Sequence, residues 1–264
     1  PKPLMRAGGV PLIEWTLARL ESWGVEEIAV NMHWQASLLR DHLVSRRGAA
    51  RIACSREPCL LGTAGALRPL RGFIGDEPFW LVNADIFWRV QPRLLWRAFV
   101  ARQPLAAVWL VTGKGPRTVE TDAAGTIVTY RSARAGEPGT ATFSGVQVVA
   151  PRILGHLPPG RAACGLIEVY ESAAAAGERV TGVRAPGRPC WEDAGSVPDY
   201  LRLRRRLRRR AAPRGGKGGT AAGGDGFRTG RGGRLWFPAH DWPDVALAPV
   251  LLNMKSVMGG GVEG

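Results

Sequence analysis

Leu12, Ile13, Trp15, Leu17, Leu20 and Trp23 recur at near-helical spacing, which predicts a helix over 11–23 stopped by Gly24. Residues 27–31 form a short continuous apolar run, the pattern of a buried strand. Residues 51–55 read as a second short strand, 79–83 as a third, and 106–111 as another apolar strand. Helical spacing returns over 35–44, 63–70 and 92–101. Within 119–130, two extended runs flank Asp122-Ala123-Ala124-Gly125 and predict a hairpin. A strand at 142–149, a helix at 165–176 stopped by Gly177, a strand at 179–184 and a helix at 197–210 complete the pattern.

Short apolar strands alternating with helices predict an α/β fold, with a mixed, mostly parallel sheet flanked by helices. After Arg210 the chain becomes dense in Gly, Ala and Arg and loses its periodicity. Such a segment buries too little apolar surface to offset chain entropy. The expectation is one domain over 1–210 and a disordered tail over 211–264. No internal repeat is visible.

Composition changes this picture little. The 45% apolar content suffices for a core. Of the net charge of +14, residues 201–264 hold nine units, so the body is only mildly basic. Cys54, Cys59, Cys164 and Cys190 show no metal-ligand spacing and read as reduced thiols. His33, His42, His156 and His240 also lack ligand spacing and read as structural. No run is long and apolar enough to cross a bilayer, and no leader pattern precedes the first helix. A cytoplasmic protein without a membrane partner is the expectation. The chain opens at Pro1, which suggests a fragment or a processed form.

Three segments could carry chemistry. Leu61-Gly62-Thr63-Ala64-Gly65-Ala66-Leu67 joins a strand to a helix; its small residues either admit a flat or charged ligand or simply pack closely. Asp85 follows the carboxyl end of an apolar strand, where ligands of open α/β sheets bind. It could hold a hard cation, or merely close a turn or cap a helix. Trp191-Glu192-Asp193-Ala194-Gly195-Ser196 could supply a second metal ligand, or Asp193 or Ser196 could cap the following helix.

The order of motifs narrows these choices. Pro1-Lys2-Pro3-Leu4, Gly8-Gly9-x-Pro11-Leu12, Gly24-Val25, the 61–67 run, Asn83-Ala84-Asp85, Phe143-Ser144-Gly145-Val146-Gln147 and Trp191-x-Asp193-x-Gly195 succeed one another along 1–207. The set resembles the sugar-1-phosphate nucleotidyltransferase family. That resemblance implies a Rossmann-like nucleotide-diphospho-sugar transferase fold. It also implies transfer of a nucleotidyl group from a nucleoside triphosphate to a hexose 1-phosphate, with release of pyrophosphate. Lys2 matches a lysine that contacts nucleotide phosphates. Gly62, Thr63 and Gly65 match the turn against the nucleobase, and Glu57 precedes it as in related members. Asp85 and Asp193 match the carboxylates that hold Mg²⁺. Gly145 and Glu168 match residues at the sugar. Lys2, Asp85 and Asp193 are thereby the catalytic candidates.

Two departures qualify the resemblance. The family opens with a strand and a G-x-G-T-R-type loop before P-K-P, whereas nothing precedes Pro1 here. This predicts a sheet without its first strand, no phosphate cradle and impaired activity. Neither Gly113-Lys114-Gly115 nor the glycines around Lys217 supply a substitute motif. Tyr130-Arg131-Ser132 stands where many members carry Glu-Lys, which leaves the lysine for the sugar phosphate unassigned. It favours resemblance to N-acetylmuramate-1-phosphate uridylyltransferases or compact mannose-1-phosphate guanylyltransferases.

The rival readings are an inactive nucleotide-sugar-binding domain, a glycosyltransferase, and a nucleic-acid binder acting through the arginine-rich tail. Asn83-Ala84-Asp85 lacks the Asp-x-Asp of a glycosyltransferase, and the tail lacks interleaved aromatics for base stacking.

Overall fold

The computed structural model describes residues 1–211, 228–229, 235–236 and 250–253. The chain starts with a 3-10 turn, Lys2–Leu4, and a small ribbon of β1 (Arg6–Ala7) and β2 (Val10–Pro11). Then come α1 (Leu12–Ser22), β3 (Glu27–Met32), α2 (Ala36–Ser45), β4 (Arg51–Arg56), α3 (Gly62–Gly65), α4 (Arg71–Ile74), β5 (Phe79–Asn83) and β6 (Ile86–Arg89). They are followed by α5 (Pro92–Arg102), β7 (Ala106–Val111), the hairpin strands β8 (Glu120–Thr121) and β9 (Ile127–Thr129), β10 (Thr142–Val149) and α6 (Leu166–Ala175). The last elements are β11 (Val180–Arg184), β12 (Cys190–Asp193), α7 (Val197–Ala211), β13 (Arg228–Thr229), β14 (Leu235–Trp236) and β15 (Val250–Asn253).

Seven strands form the main sheet in the order β11-β7-β10-β5-β15-β3-β4. Strand β10 runs antiparallel to both its neighbours, and the other pairs are parallel. Strand alternation sends side chains to two faces. Ile28, Val30, Trp80, Val82, Trp109 and Val146 meet α1, α2 and α5 on one face. On the other, Ala29, Phe79, Leu81, Val108 and Leu110 meet α6 and the segment around Leu67–Ile74. A third, smaller core under α7 joins Leu203 and Leu207 to Ala7, Val10, Trp15 and Phe87.

The predicted elements form within one or two residues of their expected bounds, with two exceptions. The helix expected over 63–70 is a single turn, Gly62–Gly65, followed by turns. Pro69 disfavours helical backbone at Arg68 and removes an N–H, so propagation stops. The second exception is the tail. Ala211 continues α7 by one residue and Val250–Asn253 is a strand, so disorder does not extend over the whole of 211–264. Much of that expectation lies outside the described residues.

Strand β15 also changes the expected sheet. It lies between β3 and β5 and pairs in parallel with both, so that interior position is filled from the C-terminal side of the chain. Leu251 is 2% exposed and packs into the core facing α6. Parallel pairing on both sides makes β15 an interior strand. It was missed because four residues amid Gly- and Pro-rich sequence carry no period.

Candidate functional site

The carboxyl ends of β3, β5, β7 and β15 point the same way, because these strands share one direction in the sheet. Asp85 lies two residues beyond β5, in the turn into β6, and is 3% exposed. Its carbonyl oxygen accepts a hydrogen bond from the Ala194 N–H at 3.1 Å. Strand β12 pairs with β6 in a register that sets Asp193 opposite Ile86. The two candidate carboxylates are thus brought to one end of a two-stranded ladder. Ser196, not Asp193, caps α7: its Oγ accepts from the Asp199 N–H at 3.3 Å. Asp85 caps no helix, since α5 begins only at Pro92.

Lys2 reaches this end of the sheet from the N-terminal 3-10 turn. Its Nζ donates to Asp85 Oδ2 at 2.9 Å, across 83 residues of sequence. The turn is fixed by Leu4 N–H to Pro1 O and Met5 N–H to Lys2 O, each 3.0 Å. The other oxygen, Asp85 Oδ1, is buried and has no hydrogen-bond partner among the described residues. A buried carboxylate oxygen without a donor fits an incoming cation, since leaving it bare is costly. No cluster of three or more His, Cys, Asp or Glu suited to a metal occurs among the described residues. Two carboxylates without further side-chain ligands suit Mg²⁺, which completes its shell with water and phosphate oxygens.

Gly145 sits in an irregular stretch of β10, where the pairing to β7 shifts register between Phe143 and Gln147. Its φ is +82°, and a Cβ there would fall 2.2 Å from the Asn83 side-chain nitrogen. Glycine is therefore needed for β10 to close on the end of β5. Next to it, Ser144 O accepts the Trp191 indole N–H at 2.9 Å, which ties β12 to the same end of the sheet.

In the 61–67 turn, close packing accounts for the glycines. Added Cβ atoms on Gly62 and Gly65 would lie 2.6 Å from Cys164 O and 2.4 Å from Ala162 O. Ala64 N–H and Gly65 N–H both donate to Cys164 O, at 3.2 and 3.3 Å. The glycines thus admit the chain's own backbone. Thr63, half-buried, stands in the same turn. Glu57 is 3% exposed, and its carboxylate is committed inside the protein. Oε1 accepts from Asn31 Nδ2 at 2.7 Å, and Oε2 from the Leu61 N–H at 3.2 Å. It fastens the turn to the end of β3. Glu168 opens α6 on the same side and is held on the surface by Arg161 at 2.5 Å.

The histidines are structural wherever they are described. His33 hydrogen-bonds with Glu57 O, His42 with Glu14, and His156 pairs with Glu178; His240 lies outside the described residues. All four cysteines are free thiols. A cleft of about 550 Å³ opens beyond the carboxyl end of β7, lined by Thr112, Gly113, Arg117, Asp122, Glu137 and Arg184. It adjoins the 113–115 loop rather than the carboxylates. That loop carries Lys114, whose Nζ donates to Glu192 Oε1 at 3.2 Å and to Trp191 O at 3.3 Å.

Comparison with known proteins agrees with this geometry. The family model described as nucleotidyl transferase matches residues 1–210. The N-acetylmuramate alpha-1-phosphate uridylyltransferase of Neisseria meningitidis serogroup B is 31% identical over 206 residues, covering 75% of this chain and 85% of that protein. The enzyme of the same name from Caulobacter vibrioides is 28% identical over 224 residues, with 78% and 88% covered. Among solved structures, HddC from Yersinia pseudotuberculosis superposes with a TM-score of 0.64 at 17% identity, covering 78% of this chain and 90% of that one. That likeness extends the α/β architecture to a known fold. With the motif order, the paired carboxylates at one sheet end and these matches, the chain belongs to the sugar-1-phosphate nucleotidyltransferase family.

Proposed function

We propose that this protein joins a nucleoside triphosphate and a hexose 1-phosphate into a nucleotide sugar, releasing pyrophosphate, with UTP as the nucleotide. The observation that carries this reading is Asp85. Its carboxylate is buried at the carboxyl end of the sheet, salt-bridged to Lys2 through one oxygen and without a hydrogen-bonding donor among the described residues on the other. Choice of UTP and of an amino-sugar phosphate is supported by the names of the Neisseria and Caulobacter relatives.

The reaction needs no protein nucleophile. An oxygen of the sugar phosphate attacks the α-phosphorus, the bond to the β-phosphate oxygen breaks in line, and pyrophosphate leaves with its electron pair. Asp85 and Asp193 would hold Mg²⁺, which supplies charge neutralisation on the transferred phosphate. Lys2 adds a second positive charge beside the same group and turns from Asp85 towards the phosphate oxygens. Gly145, by letting β10 close on Asn83, would shape the sugar end of the site, and the 61–67 turn would stand against the base. Positioning and electrostatic stabilisation then account for catalysis.

The test is pyrophosphate release by the full chain with four nucleoside triphosphates against N-acetylmuramate α-1-phosphate, glucose 1-phosphate and mannose 1-phosphate. Turnover is expected with UTP, to be lost on chelation and restored by Mg²⁺. Asp85→Asn and Asp193→Asn should each lower kcat by about 100-fold or more, as loss of a transition-state electrostatic contact does. Binding of a nucleotide sugar without any turnover would replace this reading by that of an inactive binding domain.

A further inference from the structure

Strand β12 carries Asp193 but takes no part in the main sheet; among the described residues it pairs only with β6. A two-stranded ribbon is marginal on its own, so the place of Asp193 depends on what grips that ribbon. Alternation puts Trp191 on one face, in the core shared with α1, α2 and α5. Cys190 and Glu192 fall on the other face, towards α7. We propose that Arg206 of α7 is a positioning residue for the reaction, setting Asp193 against Asp85 through its grip on β12 and β6. The proposal rests on the function proposed above, and Arg206 itself touches neither substrate nor metal.

Arg206 spans the ladder. Its Nη1 donates to Glu192 Oε1 at 2.5 Å and its Nη2 to Cys190 Sγ at 3.6 Å. The guanidinium carbon lies 5.9 Å from the ring centroid of Phe87, the β6 residue directly opposite Glu192. One planar group thus holds alternate residues of β12 and a residue of β6. The ammonium of lysine could not offer two forked nitrogens and a flat face at once. Leu203 and Leu207, on either side of Arg206 in sequence, are almost fully buried with Ala7, Val10 and Phe87. The helix therefore presents the guanidinium from a fixed base. Glu192 is held from its other side by Lys114 at 3.2 Å.

The same helix reaches the other half of the site. Tyr200 Oη donates to Arg6 O at 2.8 Å, and a Cβ on Gly8 would stand 3.1 Å from Leu207 Cβ, so α7 lies against the β1–β2 ribbon. That ribbon follows the turn bearing Lys2, and Leu12 N–H to Met5 O at 3.0 Å closes its base. The link from Asp193 to α7 is short. Ser196 caps the helix, and a Cβ on Gly195 would meet the two Asp193 carboxylate oxygens at 3.0 and 3.1 Å. The carboxylate is thus laid against the turn into α7. Lys2 and Asp193 come from distant parts of the chain, yet both take their place from one helix. Arg206 is that helix's charged hold on the strand bearing the carboxylate.

The test uses the full chain with Mn²⁺ as a spin probe, its binding followed by electron paramagnetic resonance, beside the Mg²⁺ dependence of turnover. Arg206→Met keeps an apolar stem over Phe87 and loses the charge. It should weaken Mn²⁺ binding, and raise the Mg²⁺ concentration for half-maximal rate, by about tenfold or more, the loss usual when a group that orients a metal ligand is removed. The KM for the sugar 1-phosphate at saturating Mg²⁺ should stay at the wild-type value. Arg206→Lys, which keeps the charge without the fork, should lie between the two. Glu192→Gln should show a similar loss, and the double variant with Arg206→Met little more than either alone, because both remove one contact. Arg205→Met, at an exposed position of the same helix, should match the wild type. Wild-type Mn²⁺ binding by both Arg206 variants, with only a lower melting temperature, would overturn the proposal and leave Arg206 a structural tie. So would fully additive losses in the double variant. Absence of turnover by the wild type would instead strike the function proposed above, and Mn²⁺ binding still decides the role of Arg206.

Discussion

Glu57 illustrates how burial reassigns a residue. By position it belonged with the nucleotide-binding candidates, yet both carboxylate oxygens bind protein donors, Asn31 Nδ2 and the Leu61 N–H. Glu57→Gln keeps one acceptor and turns an NH₂ group against a donor. It should cost about 1–3 kcal/mol of stability, measured by urea unfolding. A residue that read the base directly would change nucleotide selectivity without that cost. Gly145 makes the complementary case. Gly145→Ala drives a Cβ into Asn83 from a left-handed backbone, so kcat should fall while an alanine at exposed Gly72, where nothing lies within 4 Å, leaves it unchanged.

At the scale of elements, an ion cluster locks α1 to α2 and the loop after it. Arg46 donates to Glu21 through two nitrogens, at 2.6 and 2.7 Å, and to Glu14 at 2.8 Å. Burial alone would raise the Glu21 pKa, but hydrogen bonds from Arg46 and backbone N–H groups outweigh it and hold the pKa below the usual carboxylate value. A depressed folded-state pKa adds stability that is present above the unfolded value, about 4.3, and lost as pH falls through the folded one. Glu21→Gln should therefore lose about 1.5–3 kcal/mol at pH 7. The gap to wild type should close as urea melts are repeated below about pH 4. A gap independent of pH would rule out the ion pair as its source.

For the whole molecule, the decisive element is β15. It fills the interior position between β3 and β5, and without it both strands would present unpaired edges. Leu251→Asp buries an unpaired carboxylate at a position 2% exposed. It should cost about 3 kcal/mol or more and broaden or lower the melting transition, read by circular dichroism. Because Asn253 of β15 pairs with Asn83, two residues before Asp85, the same substitution should also reduce turnover by loosening the end of the sheet. A wild-type melting curve would show that the sheet does not depend on this strand.

The sequence by itself determined the alternation of strands and helices, the hairpin, and the positions of Asp85, Asp193 and Gly145. Each is written in a local signal: an apolar period, a turn, a motif in order. It could not say that Ser196 rather than Asp193 caps α7, that Glu57 turns inward, or that Lys114 stands on Glu192, because those contacts span long stretches of chain. Nor could it place Val250–Asn253, whose four residues lack a period and gain a strand's hydrogen bonds only from β3 and β5. Local pattern is fixed by the repeat of the backbone, whereas the filling of an interior slot is decided by which distant edges are left to pair.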